Sequence, residues 1–292
     1  MKKVKKSAFT IIELLTVMSI IVILIGLLVP ALNMVKRFAL DVKQAAQLHS
    51  MDTALELFNS TFDGYPESIS VDQLGNSYCG SMRVSEAMLG QDMLGFHKDS
   101  VFRMDGRDTN GIYPLYGLSV ASPAYDANLN MRKGPYLPLD NANVFRLRDI
   151  YSTGDIGSSQ FSPDSRVLCD IYSKNLPTGV KAGMPILYYK ANTVNNLHDP
   201  NLASIMGPRD NAKNIYNYLD NHELVKMGIP TIAAGSLDKS HEMENVNVFY
   251  SETRSEKVTT TSMPCRPDTY ILIAAGFDGE YGTEDDICNY NK

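Results

Sequence analysis

The chain has 292 residues, 44% hydrophobic and 21% charged, which is enough apolar material for one sizeable folded domain with its own core. Its formal net charge of −6 excludes a protein that holds nucleic acid by neutralising phosphates, since that needs a basic face. No internal repeat or low-complexity tract stands out.

Residues 1–8 read as a basic leader. They hold Lys2, Lys3, Lys5 and Lys6 and no acid, so losing them takes the net charge from −6 to −10. Residues 9–32 follow as an almost unbroken apolar run in which Glu13 is the only formal charge. About 20 helical residues cross a hydrocarbon core of about 30 Å, and residues 9–29 supply that length. The lysines hold the amino terminus in the cytoplasm by the positive-inside bias and place everything after Leu32 outside. The run is too long for a secretory h-region, and no small-residue cleavage site follows it. A charge inside a membrane span costs roughly 2.5–3.5 kcal/mol, so Glu13 is kept for a use. A plain signal anchor tethering a periplasmic domain would need neither Glu13 nor Phe9 at that junction.

Residues 33–63 continue the helix. Pro30 interrupts the apolar run where the chain leaves the lipid, and predicts a kink there. Apolar spacing then resumes at Val35, Phe38, Val42, Ala45, Leu48, Met51, Leu55, Phe58 and Phe62, steps of three and four that mark one stripe of an amphipathic helix. Gly64 suits a left-handed cap, and Tyr65-Pro66 forbids continuation.

The globular part spans residues 64–292. A short helix is predicted over residues 81–93, capped by Ser81 with Val84, Met88 and Leu89 facing inward. Residues 94–164, rich in glycine, proline, asparagine and aspartate, read as loops. Strands are predicted at residues 166–172, 184–190, 246–250 and 269–275 from their β-branched and aromatic content. An excursion at about 191–262 is predicted to hold a helix over residues 211–219.

Four cysteines follow the span: Cys79, Cys169, Cys265 and Cys288. An even count in an oxidising compartment favours disulfides over metal ligation, and no CxxC occurs. Three pairings are open; Cys265 and Cys288, which flank a strand and loop, form the preferred pair. The sharpest soluble motif is residues 278–286, with five acids in nine residues and two glycines. That density of hard oxygen donors suits calcium, which takes about six to eight oxygens. Asp278, Asp285 and Asp286 are the carboxylate candidates, with Glu280 and Thr283 weaker ones. The EF-hand spacing is absent, and on composition alone a solvated acidic turn is the competing reading. Residues 105–111 carry acids at calcium-loop spacing too, but Arg107 favours a tight turn. No histidine pair has metal-ligand spacing, and no GxSxG, P-loop or dinucleotide fingerprint occurs, so no catalytic set is predicted.

The run Ala8-Phe9-Thr10-Ile11-Ile12-Glu13-Leu14-Leu15 resembles the amino terminus of type IV pilins and of type II secretion pseudopilins. Residues 54–66, 132–137, 170–172 and 183–189 look like the helix exit, sheet approach and hairpin of G-type pseudopilins. That family carries a calcium loop where residues 278–286 lie. The resemblance implies an α+β, pilin-like fold in which a long amino-terminal helix packs on a small antiparallel sheet. It implies cleavage by prepilin peptidase between Ala8 and Phe9, methylation of the new amine, and pairing of Glu13 with that amine on a neighbouring subunit. Pro30 lies where filament pilins carry a proline around which the helix can melt on assembly. The implied function is a structural, non-enzymatic subunit of a pseudopilus that drives type II secretion. Its partners would be copies of itself, other pseudopilins, the inner-membrane assembly platform, the prepilin peptidase and membrane lipid, with structural calcium as the cofactor. The protein would sit in the inner membrane, single-pass, with a periplasmic domain, until extracted into the filament. Ala8 departs from the family's usual glycine before the cut, and the chain is about twice the length of a typical major pseudopilin. Two alternatives stay open: a type IV pilus subunit, and a membrane-tethered periplasmic enzyme or sugar-binding module. A cavity with converging polar groups in residues 191–262 would favour the last.

Overall fold

The computed structural model describes residues 10–202, 213–230, 240–258 and 261–290. The chain forms two compact units, Met1–Val42 and Lys43–Lys292. The fold is α+β, with a long apolar amino-terminal helix and small antiparallel sheets.

Helix α1 runs Ile11–Phe62 and is unbroken through Pro30. It is the one helix among the described residues long and apolar enough to cross a membrane, and its most apolar stretch has no buried residue. In the second unit, α1 buries Gln44, Gln47, Leu48, Met51, Ala54, Leu55 and Phe58, a three-and-four spacing that makes one face. The predicted stripe is therefore correct from Leu48 to Phe58. Val35, Phe38, Val42 and Ala45 are exposed, and two glutamines take the buried positions where apolar residues were expected. Asp63, at φ 53°, takes the left-handed position that ends the helix, which corrects the assignment of that role to Gly64. Aspartate tolerates this region better than most side chains.

Helix α2 spans Gly80–Leu89, shorter than predicted, with Cys79 rather than Ser81 at the N-cap. Val84, Met88 and Leu89 are buried as expected, but so is every other residue of the helix. Gly80 is required there: a Cβ would stand 2.2 Å from the carbonyl oxygen of Tyr188. Short helices α3 (Tyr125–Asn130), α4 (Leu139–Ala142), α5 (Leu147–Ile150), α6 (Thr153–Ser159) and α7 (His222–Val225) follow.

Among the described residues, nine short strands make four antiparallel sheets. Strands β1 (Phe96–His97) and β2 (Arg132–Lys133) pair, as do β3 (Val144–Arg146) with β4 (Arg166–Leu168) and β5 (Lys174–Asn175) with β6 (Lys181–Ala182). The main sheet has the order β7 (Leu187–Lys190), β8 (Tyr270–Ala274), β9 (Ile287–Cys288). Side chains alternate across it with the strand period of two. Ile186, Tyr188, Tyr270, Leu272 and Ala274 pack with Leu48, Met51, Ala54 and Leu55 of α1. Leu187, Tyr189, Ile271 and Ile273 enter a second core with Tyr216, Leu224, Phe249 and Tyr250 of the 191–262 segment. Antiparallel sheets often leave one face in water. Here the insertion covers it.

Inside that insertion the structure corrects two expectations. Residues 246–250 belong to helix α8 (Val246–Glu252), not to a strand. Asn245 caps it by accepting the N–H of Asn247 at 3.0 Å, and Phe249 and Tyr250 bury their rings together on one side. The cap and the packing outweigh the β-propensity of Val246, Val248 and Phe249. Of the predicted helix over 211–219, residues 211 and 212 lie outside the described residues. The rest form a bridge from Asn214 to Leu197 and the start of a 3₁₀ turn, Tyr218–Asp220.

Candidate functional site

Three regions bear on function: the start of α1, the acidic loop after β8, and the cysteines. Ala8 and Phe9 lie outside the described residues. At the helix start, Thr10 and Glu13 form a capping box. Glu13 Oε2 accepts the N–H of Thr10 at 2.8 Å and its hydroxyl at 2.7 Å, while Thr10 Oγ1 accepts the N–H of Glu13 at 3.2 Å. The carboxylate thus has a local role within its own chain, which the spacing Thr10-x-x-Glu13 could have signalled. Pro30 is held within the helix, about five turns further on.

The acidic loop begins where β8 ends. Gly276, at φ 67°, lets the chain turn against itself; a Cβ there would lie 2.2 Å from the carbonyl oxygen of Asp285. Asp285 organises the loop. Its Oδ2 accepts the N–H groups of Phe277 at 2.9 Å and Asp278 at 3.1 Å, and its Oδ1 lies 2.8 Å from Thr283 Oγ1. The same hydroxyl is 3.0 Å from Asp278 Oδ2, so Asp278, Thr283 and Asp285 converge. Burial, followed by the neighbouring Asp285, raises the pKa of Asp278. For Asp285 burial pulls the same way, but hydrogen bonds from Thr283, Asp278 and Phe277 outweigh it and the pKa falls. Of the two carboxylates, Asp278 is therefore the first to take up a proton as pH falls.

The other two predicted ligands are placed differently. Asp286 Oδ2 accepts the N–H of Gly282 at 2.8 Å, and Glu280 donates its own N–H to Asp278 Oδ1 at 2.8 Å. Among the described residues, no three carboxylate, histidine or thiol side chains form a ready-made metal site. The donor set that fits a hard cation is two carboxylates and a hydroxyl, and a shell of calcium's size would draw on loop carbonyls as well. The second acidic motif is a turn, as read: Asp108 Oδ1 accepts the N–H groups of Ile112 and Tyr113, and Arg103 pairs with Asp105.

Cys79 and Cys169 are both buried thiols in the core beside Tyr151. Burial pushes Cys79 up to about 12 and Cys169 well above its ordinary range. Cys265 and Cys288 both lie near Tyr290 and, like the other two, are present as thiols.

Sequence reasoning missed the polar clamp between α1 and residues 169–171. Gln44 Oε1 accepts the N–H of Ile171 at 2.9 Å, and Asn143 Nδ2 donates to the carbonyl of Cys169 at 2.9 Å. Asp170, at the centre of the clamp, is fully buried, and its Oδ2 has no hydrogen-bond partner among the described residues. Burial raises it to about 7. Two glutamines three residues apart, inside an apolar stripe, were the available signal.

The chain matches no protein-family model, no curated protein and no solved structure.

Proposed function

We propose that this chain is a structural subunit of a pilus-like filament of the pseudopilus type, driving protein export by type II secretion. The observation that carries the reading is a basic leader meeting Phe9 and an exposed apolar helix whose only early charge is Glu13. In the free chain Glu13 bonds Thr10. On assembly it would exchange Thr10 for the amine of Phe9 on a neighbour, and breaking such a buried pair costs on the order of 3–5 kcal/mol. The α+β head, with its sheet packed on the second half of α1, is compatible with this role. Asp278, Thr283 and Asp285 would hold a structural calcium, whose charge would relieve the repulsion between the two carboxylates.

Intact-mass analysis of the full-length gene product from membranes with active prepilin peptidase tests the reading. A chain beginning at Phe9 and carrying one added methyl group supports it. A chain beginning at Met1 overturns it.

A further inference from the structure

A cleft of about 490 Å³ lies on the head, lined by the segment after α1, the end of β7, the insertion and the entry to β8. Its floor is built from buried polar groups. Ser68, 3% exposed, donates its hydroxyl to the Asp220 carboxylate and accepts the N–H of Lys190 at 3.0 Å. Asn214, 1% exposed, donates to the Asp199 carbonyl at 2.9 Å and to the Tyr250 hydroxyl at 2.8 Å, which fixes the insertion wall.

The rim presents both donors and acceptors. Asn192 Oδ1 accepts the N–H of Val194 and Asn217 Oδ1 that of Leu219, each at 3.1 Å, so their amide nitrogens are the donors left for a ligand. Lys190 Nζ sits 2.5 Å from Glu67, and Asp268 makes no ion pair among the described residues. Tyr65, Ile69 and Ile215 add apolar surface.

We propose that this cleft binds an uncharged oligosaccharide. Three carboxylates (Glu67, Asp220, Asp268) against one ammonium (Lys190) repel phosphates, nucleotides and anionic headgroups. A simple cation would leave the amide donors and the apolar wall without a purpose. Sugar hydroxyls donate to carboxylates and accept from amides at once, and the C–H faces of the ring suit an apolar wall. Mixed apolar and polar lining at this volume is what a small-molecule site offers. The inference does not rest on the filament reading.

The test uses the full chain in micelles of a detergent without a sugar headgroup. It is titrated calorimetrically with tetrasaccharides of glucose, mannose, galactose and N-acetylglucosamine, with spermidine and inorganic phosphate as the competing chemistries. At least one sugar should bind with a Kd below about 1 mM. Asn192→Ala and Asp268→Asn should each weaken it at least about tenfold, the loss expected when one hydrogen-bonding partner is removed, with melting unchanged. Failure of all four sugars to bind, tighter binding of spermidine or phosphate, or unaltered sugar affinity in both variants would overturn the proposal.

Discussion

Gln47 Nε2 donates to the main-chain carbonyl of Cys169 at 2.9 Å, tying α1 to a segment 122 residues further along the chain. One turn earlier Gln44 accepts the N–H of Ile171. These two side-chain amides add to the backbone bonds that Cys169 and Asp170 make to Asn143 and Met184 just beyond the end of β4. The clamp registers the head on its helix as no apolar contact could, since hydrogen bonds are directional and apolar burial is not.

The two glutamines should not be equivalent. Gln44→Ala strands the half-buried N–H of Ile171, at a cost of about 1–3 kcal/mol. Gln47→Ala leaves the Cys169 carbonyl with Asn143 as a second donor, and should cost less, about 1 kcal/mol. Urea unfolding of the two variants checks the order; equal losses would remove Asn143 from the clamp.

Asp170 should make stability depend on pH. Its carboxyl titrates near 7 in the folded chain, chiefly because burial penalises the charge, against an ordinary value of 3.8. The folded state therefore binds a proton that the unfolded state releases between these values. The contribution is fully present below about 4 and is lost as pH rises through 7, with a slope of up to about 1.4 kcal/mol per pH unit. His198 and His241, both lowered to about 4 by burial, act in the opposite sense at acid pH. The difference between wild type and Asp170→Asn isolates the aspartate: the variant should be relatively more stable at pH 8 than at pH 5. A pH-independent difference would contradict this.

Calcium should raise the melting temperature of the full-length protein, by the equivalent of about 2.7 kcal/mol when free ion is a hundredfold above Kd. Asp285→Ala should abolish the effect, but it also removes the acceptor for Phe277 and Asp278 and weakens the loop without any ion. Asp278→Asn is the cleaner variant, because the amide oxygen can still accept from Glu280. Magnesium should substitute poorly, given its small octahedral shell. Identical melting curves in calcium and in chelator would leave a solvated acidic turn.

Protein recovered from the cell envelope should contain a Cys265–Cys288 disulfide, since both residues border Tyr290. Cys79 and Cys169, both buried near Tyr151, are the alternative pair. Non-reducing peptide mapping decides between these and the crossed pairings; four free thiols would reject both.

Elements with one dominant signal were legible in the sequence. The apolar run gave α1, the stripe from Leu48 to Phe58 gave its buried face, and the β-branched run at residues 269–275 gave β8. Where two signals competed, the local one misled. Val246 and Val248 read as strand until Asn245 capped a helix. Gln44 and Gln47 gave only a faint signal, because their partners lie more than a hundred residues away and polarity by itself places such residues outside. At the acidic loop the composition pointed to five oxygen-bearing side chains. The meeting of Asp278, Thr283 and Asp285 depends on the turn at Gly276, which composition does not encode.

The filament reading stands most directly on Glu13. Electron microscopy of filaments sheared from cells co-expressing the chain, its prepilin peptidase and a secretion assembly platform should show fibres for wild type. Glu13→Ala should insert in the membrane in equal amount and yield none, while Thr10→Ala, which removes only the capping partner, should retain them. Wild-type-like fibre yield from Glu13→Ala cells, or no fibres from any cells despite cleavage before Phe9, would contradict the proposed role.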